Sequence, residues 1–413
     1  LLIKEDKILR MQNSFSWKIT SLFRYIRRIK ECFSKPKTSI QPKLRYSFSE
    51  PFKKQILPVK HVLSPFEFAD NFTKHSNSNP TNFVSSPGIF HFIWLIPDFG
   101  IGSGGHTTIF RMIKWLENFG HTSTIMICGG THHGNSDRAK EIISSHFFPL
   151  SASVDILFDP RLLKDESDII ISTSYDTCYY SRNIDSSAPR YYFVQDYEPQ
   201  FASLGSFYYL AKNTYSFGFN CITAGKWLAN KISSVGGNVS GYFELAVDKN
   251  IFFPAGSNAQ NNNKDIPIIA VYSRSATARR MTELAIFGLN LLSQRGYQFK
   301  VIFFGDSKIP VSACFEHQIL GIVNPESLAK VYRSADIGCV FSGTNYSLVP
   351  LEMMASGLPI VEFDGPNTRE TFPDGSVRFA KPDPVSIANE IQFLLTNSEN
   401  KNQQITEALH FIK

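Results

Sequence analysis

The sequence has no long apolar run and no closely spaced cysteine pair. None of its apolar stretches approaches the roughly 18 residues that a membrane-spanning helix needs. No apolar segment follows the basic residues near its start, which disfavours a secretory signal. Its six cysteines lie far apart among 413 residues. Neither a cysteine zinc site nor a disulfide framework is therefore expected, and packed thiols in a reducing, cytoplasmic compartment are favoured.

Charge is distributed unevenly along the chain. The 42 lysines and arginines exceed the 36 acidic residues, which gives a formal net charge of +6. Residues 1–60 contain 15 of the basic residues and only 4 of the acidic ones, so the remainder is slightly acidic. Because the basic segment has few aromatic residues arranged for stacking and the body is acidic, nucleic acid is not an expected partner.

Residues 14–33 form an amphipathic pattern inside this basic segment. Apolar side chains recur every three or four residues, which predicts a helix with one apolar stripe: Phe15, Ile19, Leu22, Ile26, Ile29 and Phe33. Such a helix binds an anionic membrane surface, packs on a partner subunit, or packs on its own body. The sequence leaves these alternatives open, and a homodimer is one form of the second.

Composition divides the chain into five segments. Two of them alternate short apolar runs with helical periods, which predicts an α/β fold with mainly parallel sheets. We expect two Rossmann-like, doubly wound domains that face a cleft, together with a helical and extended N-terminal arm. The segments are a basic extension (1–86), a first α/β domain (87–253), a polar linker (254–266), a second α/β domain (267–400) and a terminal helix (401–413).

The apolar pattern predicts individual elements in both domains. Predicted strands are 90–96, 124–128, 154–158, 168–172, 191–195, 221–223, 241–246, 267–272, 299–305, 317–322, 337–341 and 359–363. Predicted helices are 105–119, 136–145, 199–216, 226–235, 278–294, 326–334, 348–356, 384–396 and 401–412. Open sheets of this kind bind ligands beyond the carboxyl ends of their strands, so we expect the site there.

A glycine-rich loop follows the first predicted strand. Gly100, Gly102 and Gly105 satisfy the G-x-G-x-x-G spacing of nicotinamide-binding folds. Such folds need a carboxylate at the end of the second strand to hold a ribose, and here that strand ends in Cys128 followed by two glycines. The absence of an acid disfavours a nicotinamide site. Two interpretations of the glycine-rich loop remain. It is a tight turn between strand and helix, or a loop whose backbone N–H groups face a bound ligand.

Three arginines follow the first strand of the second domain. Arg274, Arg279 and Arg280 lie within seven residues at a strand–loop–helix junction. Guanidinium groups suit phosphate oxygens, and a helix start adds partial positive charge. The alternatives are a diphosphate site and a solvated basic turn, and the position at the carboxyl edge of the sheet favours the diphosphate.

A short helix after the strand 337–341 provides a second candidate anion site. Ser347 and Leu348 stand at its N-terminus, where free N–H groups bind anions. Glu352 follows about one turn later and is either a ribose ligand or a carboxylate that stabilises the helix dipole.

These motifs resemble the retaining GT-B glycosyltransferases of family 4. Glu352 and the segment 357–361 match the second Glu and the G-x-P-V-V tail of the E-x7-E signature, whereas the first Glu falls at Thr344. Further matches are the interdomain segment 243–254, the paired basic residues Arg274 and Arg279, the glycine loop at Gly104 and Gly105, and the strand end that meets the base at Gly321, Ile322 and Val323.

The resemblance implies transfer from a nucleotide sugar with retention of configuration, and it includes rhamnosyltransferases of S-layer glycan synthesis. The implied donor is dTDP-β-L-rhamnose. The implied acceptor is a growing rhamnan oligosaccharide, lipid-linked at the inner face of a bacterial plasma membrane. The donor sugar would contact Thr344, Asn345 and Tyr346, and Gly102 would join Gly104 and Gly105 in the glycine loop.

The sequence contains no Asp-x-Asp motif, so neither a metal ion nor another cofactor is expected for the diphosphate. The leaving-group charge would then be balanced by Arg274, Arg279 and helix N–H groups.

Catalytic candidates lie in the first domain. Asp196 and Glu198 follow a predicted strand. They either position or deprotonate the acceptor hydroxyl, or belong to a solvated turn. His106, just after the glycines, contacts a substrate or merely neighbours the helix start. His132 and His133 have no partner at metal-ligand spacing and receive no role.

Three other functions remain as alternatives. A nucleotide-sugar epimerase of the same architecture needs no acceptor, so disaccharide formation would exclude it. A membrane-associated scaffold that lost its chemistry with the first Glu would show no donor turnover. A nicotinamide-dependent dehydrogenase would bind NADH.

Overall fold

The structure is a computed structural model that describes residues 88–164, 167–255 and 266–413. The predicted helix of residues 14–33 and most of the predicted linker lie outside the described residues. Every strand pairing in the described part is parallel, and the strands form two separate sheets, as the apolar pattern predicts. No helix among the described residues is both long and apolar enough to cross a bilayer.

The first sheet has seven strands in the order β3-β2-β1-β4-β5-β6-β7. From β1 the chain adds β2 and β3 on one side. It then crosses back to place β4 on the other side of β1, and β5, β6 and β7 follow outward from there. The crevice of a doubly wound sheet lies where this direction changes, between β1 and β4. The strands are β1 (His91–Ile96), β2 (Thr122–Cys128), β3 (Ser153–Leu157), β4 (Ile169–Ser172), β5 (Arg190–Val194), β6 (Asn220–Ala224) and β7 (Asn238–Phe243).

The second sheet repeats this winding with six strands in the order β10-β9-β8-β11-β12-β13. Its change of direction lies between β8 and β11, so the loops after these two strands border its crevice. The strands are β8 (Ile268–Tyr272), β9 (Lys300–Phe304), β10 (Glu316–Ile319), β11 (Ile337–Cys339), β12 (Ile360–Phe363) and β13 (Arg378–Ala380).

The described residues contain eleven α-helices. Those of the first domain are α1 (Gly104–Asn118), α2 (Ser136–His146), α3 (Tyr175–Asn183), α4 (Ser206–Asn213) and α5 (Lys226–Ser234). Those that follow β8 are α6 (Thr282–Gln294), α7 (Pro325–Ser334), α8 (Leu348–Ala355), α9 (Pro366–Thr371), α10 (Pro384–Thr396) and α11 (Ser398–Ile412).

Strand β8 shows why its sequence reads as a continuous apolar run. Ile269 and Val271 belong to one buried cluster, whereas Ala270 belongs to another on the opposite face. Successive side chains of a strand point to opposite faces, and helices cover both faces of a parallel sheet. Every position of the strand interior must therefore be apolar.

Several predicted boundaries are wrong for local reasons. In place of the predicted helix 199–216, the structure has three shorter elements. The helix α4 lies between two 3-10 turns, at Glu198–Phe201 and Thr214–Ser216. The predicted helix 278–294 begins only at Thr282, since Met281 adopts a left-handed conformation with φ of 47°. Three short elements, α3, α9 and β13, have no counterpart in the prediction because their polar sequences lack a helical or alternating apolar period.

The two domains contact each other at a glycine. Gly225, just before α5, has a φ of +88°, and a Cβ built on it would lie 2.7 Å from the Tyr346 ring of the second domain. Tyr346 is itself buried, with 4% of its surface exposed. Glycine therefore serves here both for its backbone conformation and for the close approach of the tyrosine.

Replacing Gly225 tests this contact. Gly225→Ala should destabilise the protein by more than the roughly 1 kcal/mol that a left-handed alanine costs, because the Tyr346 ring must also move. Gly236→Ala is the matched control, since Gly236 has a φ of +92° but open space around its Cβ position. Urea unfolding of both variants separates the two effects, and equal midpoints would show that Tyr346 imposes no constraint.

Candidate functional site

The loop 344–346 of the second domain inserts into the first domain at the carboxyl ends of β5 and β6. The Thr344 hydroxyl donates a hydrogen bond to Asp196 Oδ2 (2.9 Å). The Asn345 Nδ2 donates to the backbone oxygens of Gln195 (3.0 Å) and Ala224 (2.9 Å). These bonds bring the facing edges of the two sheets together at Asp196.

Tyr346 anchors the same loop to the segment after β7. Its hydroxyl donates to Glu244 Oε2 (2.7 Å) and accepts a hydrogen bond from the backbone N–H of Leu245 (3.0 Å). Of the three residues predicted to contact the sugar, Asn345 and Tyr346 thus join the domains. Thr344 places its hydroxyl beside the carboxylate of Asp196.

Asp196 is a buried carboxylate surrounded by cationic groups of the second domain. Its Oδ2 forms an ion pair with Arg279 Nε at 3.2 Å. Burial raises the pKa of Asp196, and the guanidinium groups of Arg279 and Arg280 oppose this rise. The predicted catalytic carboxyl and two of the predicted diphosphate ligands are therefore close neighbours.

Arg279 also contacts an aromatic ring of the first domain. Its guanidinium carbon lies 3.8 Å from the centre of the Phe201 ring, a cation–π contact. Burial lowers the pKa of Arg279, whereas the charge of Asp196 opposes this effect. Phe201 and Asp196 together fix the guanidinium on the side that faces the first domain.

The other two arginines lie nearby. Arg274 Nη1 approaches the backbone oxygen of Gly102 at 3.5 Å across the cleft. Arg280 Nη1 approaches the Ser342 hydroxyl at 3.4 Å. The three arginines predicted to bind the diphosphate thus lie around one region between the glycine loop and the loop after β11.

A buried glutamate fixes the backbone and side chain of Ser342, which borders this region. Glu362, at the end of β12, accepts hydrogen bonds from the backbone N–H groups of Ser342 and Phe363 (both 2.8 Å) and from the Ser342 hydroxyl (3.1 Å). Asn367 donates to the Ser342 backbone oxygen (2.7 Å). Burial raises the pKa of Glu362 to about 8. Ser342, which faces Arg280, is consequently held in one orientation.

Four buried polar atoms near these loops have no hydrogen-bond partner among the described residues: Ser273 Oγ, Asn345 Oδ1, Ser347 Oγ, and Arg279 Nε, which has only its ion pair with Asp196. Ser347 precedes the first turn of α8, yet its side chain does not cap that helix. Buried polar groups are nearly always paired, so these unpaired atoms are available to a polar ligand or to water.

The predicted ribose ligand, Glu352, lies partly buried in α8. Its carboxyl lies beside the Tyr332 hydroxyl, and burial raises its pKa to about 7 while the charge of Arg111 opposes the rise. The segment predicted to meet the base turns at Gly321, whose φ is +70°. The exposed side chain of Ile322 lies next to Gly102, where a Cβ would be 2.9 Å from Ile322 Cγ2.

The glycine loop opens toward this segment. Gly102 has a φ of +80°, and Gly104 begins α1 with open space at its Cβ position. At Gly105 a Cβ would lie 3.6 Å from the side chain of Gln195. The loop is thus shaped by backbone conformation at Gly102 and by lack of bulk at the next two glycines.

His106 and Glu198 occupy structural positions. His106 Nδ1 bonds to the Ser103 hydroxyl (2.8 Å) and Nε2 bonds to the Pro97 backbone oxygen (3.3 Å). Burial lowers the pKa of His106 to about 4, so it is neutral at physiological pH. Glu198 accepts bonds from the Tyr192 hydroxyl and the Tyr175 N–H (both 2.8 Å). Burial raises its pKa to about 8.

Four residues of the site carry no signal in the sequence: Phe201, Ser342, Glu362 and Asn367. Phe201 lies in a predicted helix, and Glu362 lies within an apolar strand pattern. No local pattern distinguishes them, since their partners come from elements distant in the chain.

The raised pKa of Glu362 predicts a pH dependence of stability. Its pKa is about 8 in the folded protein, against 4.5 for an ordinary glutamate. As the pH rises from about 4.5 to 8, the unfolded chain loses this proton before the folded one does, which destabilises the fold. Wild-type stability should therefore fall over this interval, and Glu362→Gln should reduce the fall.

Urea unfolding at pH 5 and pH 8 measures the effect. The control is Glu407→Gln, which removes an exposed carboxyl on α11. If Glu362→Gln and the control show the same loss between the two pH values as the wild type, Glu362 is ionised throughout.

Comparison with known proteins agrees with this geometry. The sequence model of a family described as "WsaF, C-terminal domain" matches residues 267–392, which contain the arginines and the loop after β11. A curated relative, the O-antigen biosynthesis protein RfbC of Myxococcus xanthus, is 28% identical over 312 residues. That match covers 74% of this chain but 24% of RfbC, so the chain spans about a quarter of that relative.

Solved structures share the fold. Anabaena Alr3699/HepE in complex with UDP-glucose has a TM-score of 0.61 at 13% identity, covering 78% of this chain and 94% of that one. A putative UDP-N-acetylglucosamine 2-epimerase from Listeria monocytogenes has a TM-score of 0.53 at 10% identity, covering 77% and 91%. The described residues have the GT-B fold.

Proposed function

We propose that this protein transfers a sugar from a nucleoside-diphosphate donor bound by the second domain to an acceptor held by the first. The observation that carries the proposal is the cluster at the facing edges of the two sheets. There Arg279, Arg280 and Thr344 of one domain meet Asp196 of the other. Phosphate ligands on one side and a carboxylate on the other are what a transfer across a cleft requires.

The donor half of the site suits a diphosphate. Arg274, Arg279 and Arg280 supply three guanidinium groups, which bind phosphate oxygens through charge-assisted hydrogen bonds. Ser347 and Leu348 add the N-terminus of α8, and the unpaired Ser273 and Ser347 hydroxyls provide further donors. These groups stabilise the charge that develops on the leaving diphosphate, which makes a metal-independent transfer chemically reasonable.

The remaining donor contacts follow from the same elements. Glu352 would accept hydrogen bonds from the ribose, and the turn at Gly321 and Val323 would meet the base. Asp196 would position the acceptor hydroxyl, because it is the buried carboxylate that reaches the donor arginines from the acceptor side.

The donor we infer is dTDP-β-L-rhamnose, with retention as in family 4 and a growing rhamnan as acceptor. The match of residues 267–392 to the WsaF C-terminal domain supports this choice. Thr344 supports it as well, since a short uncharged side chain stands where the resemblance expects a glutamate that binds sugar hydroxyls, and rhamnose is a 6-deoxy sugar. Attachment of residues 14–33 to the inner face of a bacterial plasma membrane belongs to the same proposal.

A nucleotide-sugar epimerase is the alternative that the fold alone permits, because one of the structural neighbours is described as such an epimerase. The match to an O-antigen biosynthesis protein favours transfer. Formation of a disaccharide from a labelled donor and a rhamnosyl acceptor decides between them.

A thermal-shift screen of nucleotide sugars tests the donor. The preferred donor should stabilise the folded protein by mass action, by about 2.7 kcal/mol at a hundredfold excess over Kd. Arg274→Ala should lose most of this stabilisation, because a diphosphate oxygen loses its charged partner. Arg295→Ala is the control, since Arg295 is exposed and bonds to Asn389 and Gln392. If the donor raises the unfolding temperature of both variants equally, Arg274 does not bind the donor.

Phe201 should act through Arg279. Phe201→Leu should raise the donor KM about two- to tenfold with little change in kcat, because a cation–π contact of about 0.5–1 kcal/mol or more orients the guanidinium. The control is Phe253→Leu, since the Phe253 ring lies 4.7 Å from Arg333 and is similarly exposed. Phe201→Tyr should restore the wild-type KM. An unchanged KM in Phe201→Leu would contradict the orienting role.

A further inference from the structure

Two histidines and an aspartate meet at the carboxyl edge of the first sheet. Asp98 follows β1, and His132 and His133 follow the adjacent strand β2, 34 residues later in the chain. One ligand atom from each side chain lies within 4.8 Å of the others. In the sequence, no metal-binding residue lies at ligand spacing from the two histidines. The parallel pairing of β1 with β2 brings Asp98 next to them.

The aspartate is fixed in orientation. Its Oδ1 accepts a hydrogen bond from the Thr131 hydroxyl (2.8 Å), and its Oδ2 accepts one from the backbone N–H of His132 (2.9 Å). His132 Nδ1 lies 2.5 Å from the same Oδ2. A cation that replaced the proton between these two atoms would require them to move apart to roughly 3 Å.

The second histidine is held in the tautomer that binds metals. His133 Nε2 donates a hydrogen bond to the backbone oxygen of Phe99 (2.8 Å). In the neutral ring, Nδ1 is therefore unprotonated, and its lone pair can bind a metal ion. Metal-binding histidines usually direct their other ring nitrogen at a carbonyl or carboxylate in this way. The centres of the His132 and His133 rings lie 3.9 Å apart, and one ligand atom of each ring lies within 4.8 Å of the other and of the Asp98 carboxylate.

The loop backbone allows this convergence. Gly129 and Gly130, which separate β2 from the histidines, have φ values of +81° and +124°. Glycine adopts such conformations without the strain that other residues incur. The tight turn returns the chain toward Asp98 directly after the strand.

We propose that Asp98, His132 and His133 bind a divalent transition-metal ion such as Zn²⁺. Two imidazole nitrogens and one carboxylate oxygen form a borderline-soft donor set that suits zinc, cobalt or nickel rather than magnesium or calcium. Ligand atoms around zinc lie roughly 3–4 Å apart, so small side-chain rotations suffice to close the site. Three protein ligands leave a coordination position for water or for an oxygen of another molecule. The site shares no residue with the proposed donor site.

Calorimetric titration of the full chain with ZnCl₂ tests the proposal. We expect one ion per chain, and His132→Ala and His133→Ala should each weaken its binding at least about tenfold. His317→Ala is the control, since His317 is an exposed histidine of the second domain. Titration with Co²⁺ should give visible absorption bands in the wild type and in His317→Ala, and these bands should be lost in His132→Ala.

The His132 side chain is 63% exposed, so His132→Ala should keep the wild-type unfolding temperature without added metal. Equal zinc affinity in the wild type and the two loop variants would overturn the proposal, as would a wild type that binds no zinc. The titration contains no nucleotide sugar, so its outcome is independent of the donor screen.

Discussion

One buried contact across the cleft determines the arrangement of the site. Asp196 pairs with Arg279 and accepts a hydrogen bond from Thr344, so a carboxylate of one domain lies among the cations of the other. A buried charge without a partner costs several kcal/mol, and the pairing therefore ties closure of the cleft to the position of Arg279. Phe201 completes the arrangement by stacking on the same guanidinium. The donor ligands are in this way oriented by the acceptor domain.

The loop 344–346 explains how the cleft is held closed. Thr344 and Asn345 bond to Asp196 and Gln195, directly after β5, and Asn345 also bonds to Ala224 at the end of β6. Tyr346 bonds to Glu244 after β7. Behind the loop, Glu362 fixes Ser342 through backbone and hydroxyl bonds. A loop with partners on both sides transmits movement between the domains, because neither side can shift without breaking buried hydrogen bonds. The three residues that are predicted to contact the sugar thus also connect the domains.

Prediction from sequence succeeded where one local pattern sufficed. The apolar runs identified most strands, since a strand covered on both faces must be apolar along its length. Arg274, Arg279 and Arg280 were identified because they are close in the chain and follow a strand. Prediction failed for α3, whose polar sequence carries no period, and for the start of α6, where Met281 is left-handed. Glu362 and Phe201 gave no signal, because each acts on a residue far away in sequence.

The sequence by itself determined two doubly wound α/β domains, a basic extension and a set of arginines at one strand end. It did so because apolar periodicity and local spacing are properties of neighbouring residues. Only the tertiary structure decided that Asp196 faces Arg279, that Asn345 and Tyr346 join the domains, and that Asp98 meets two histidines. Each of these contacts joins segments that are distant in the chain, and the winding order of the strands determines which segments become neighbours.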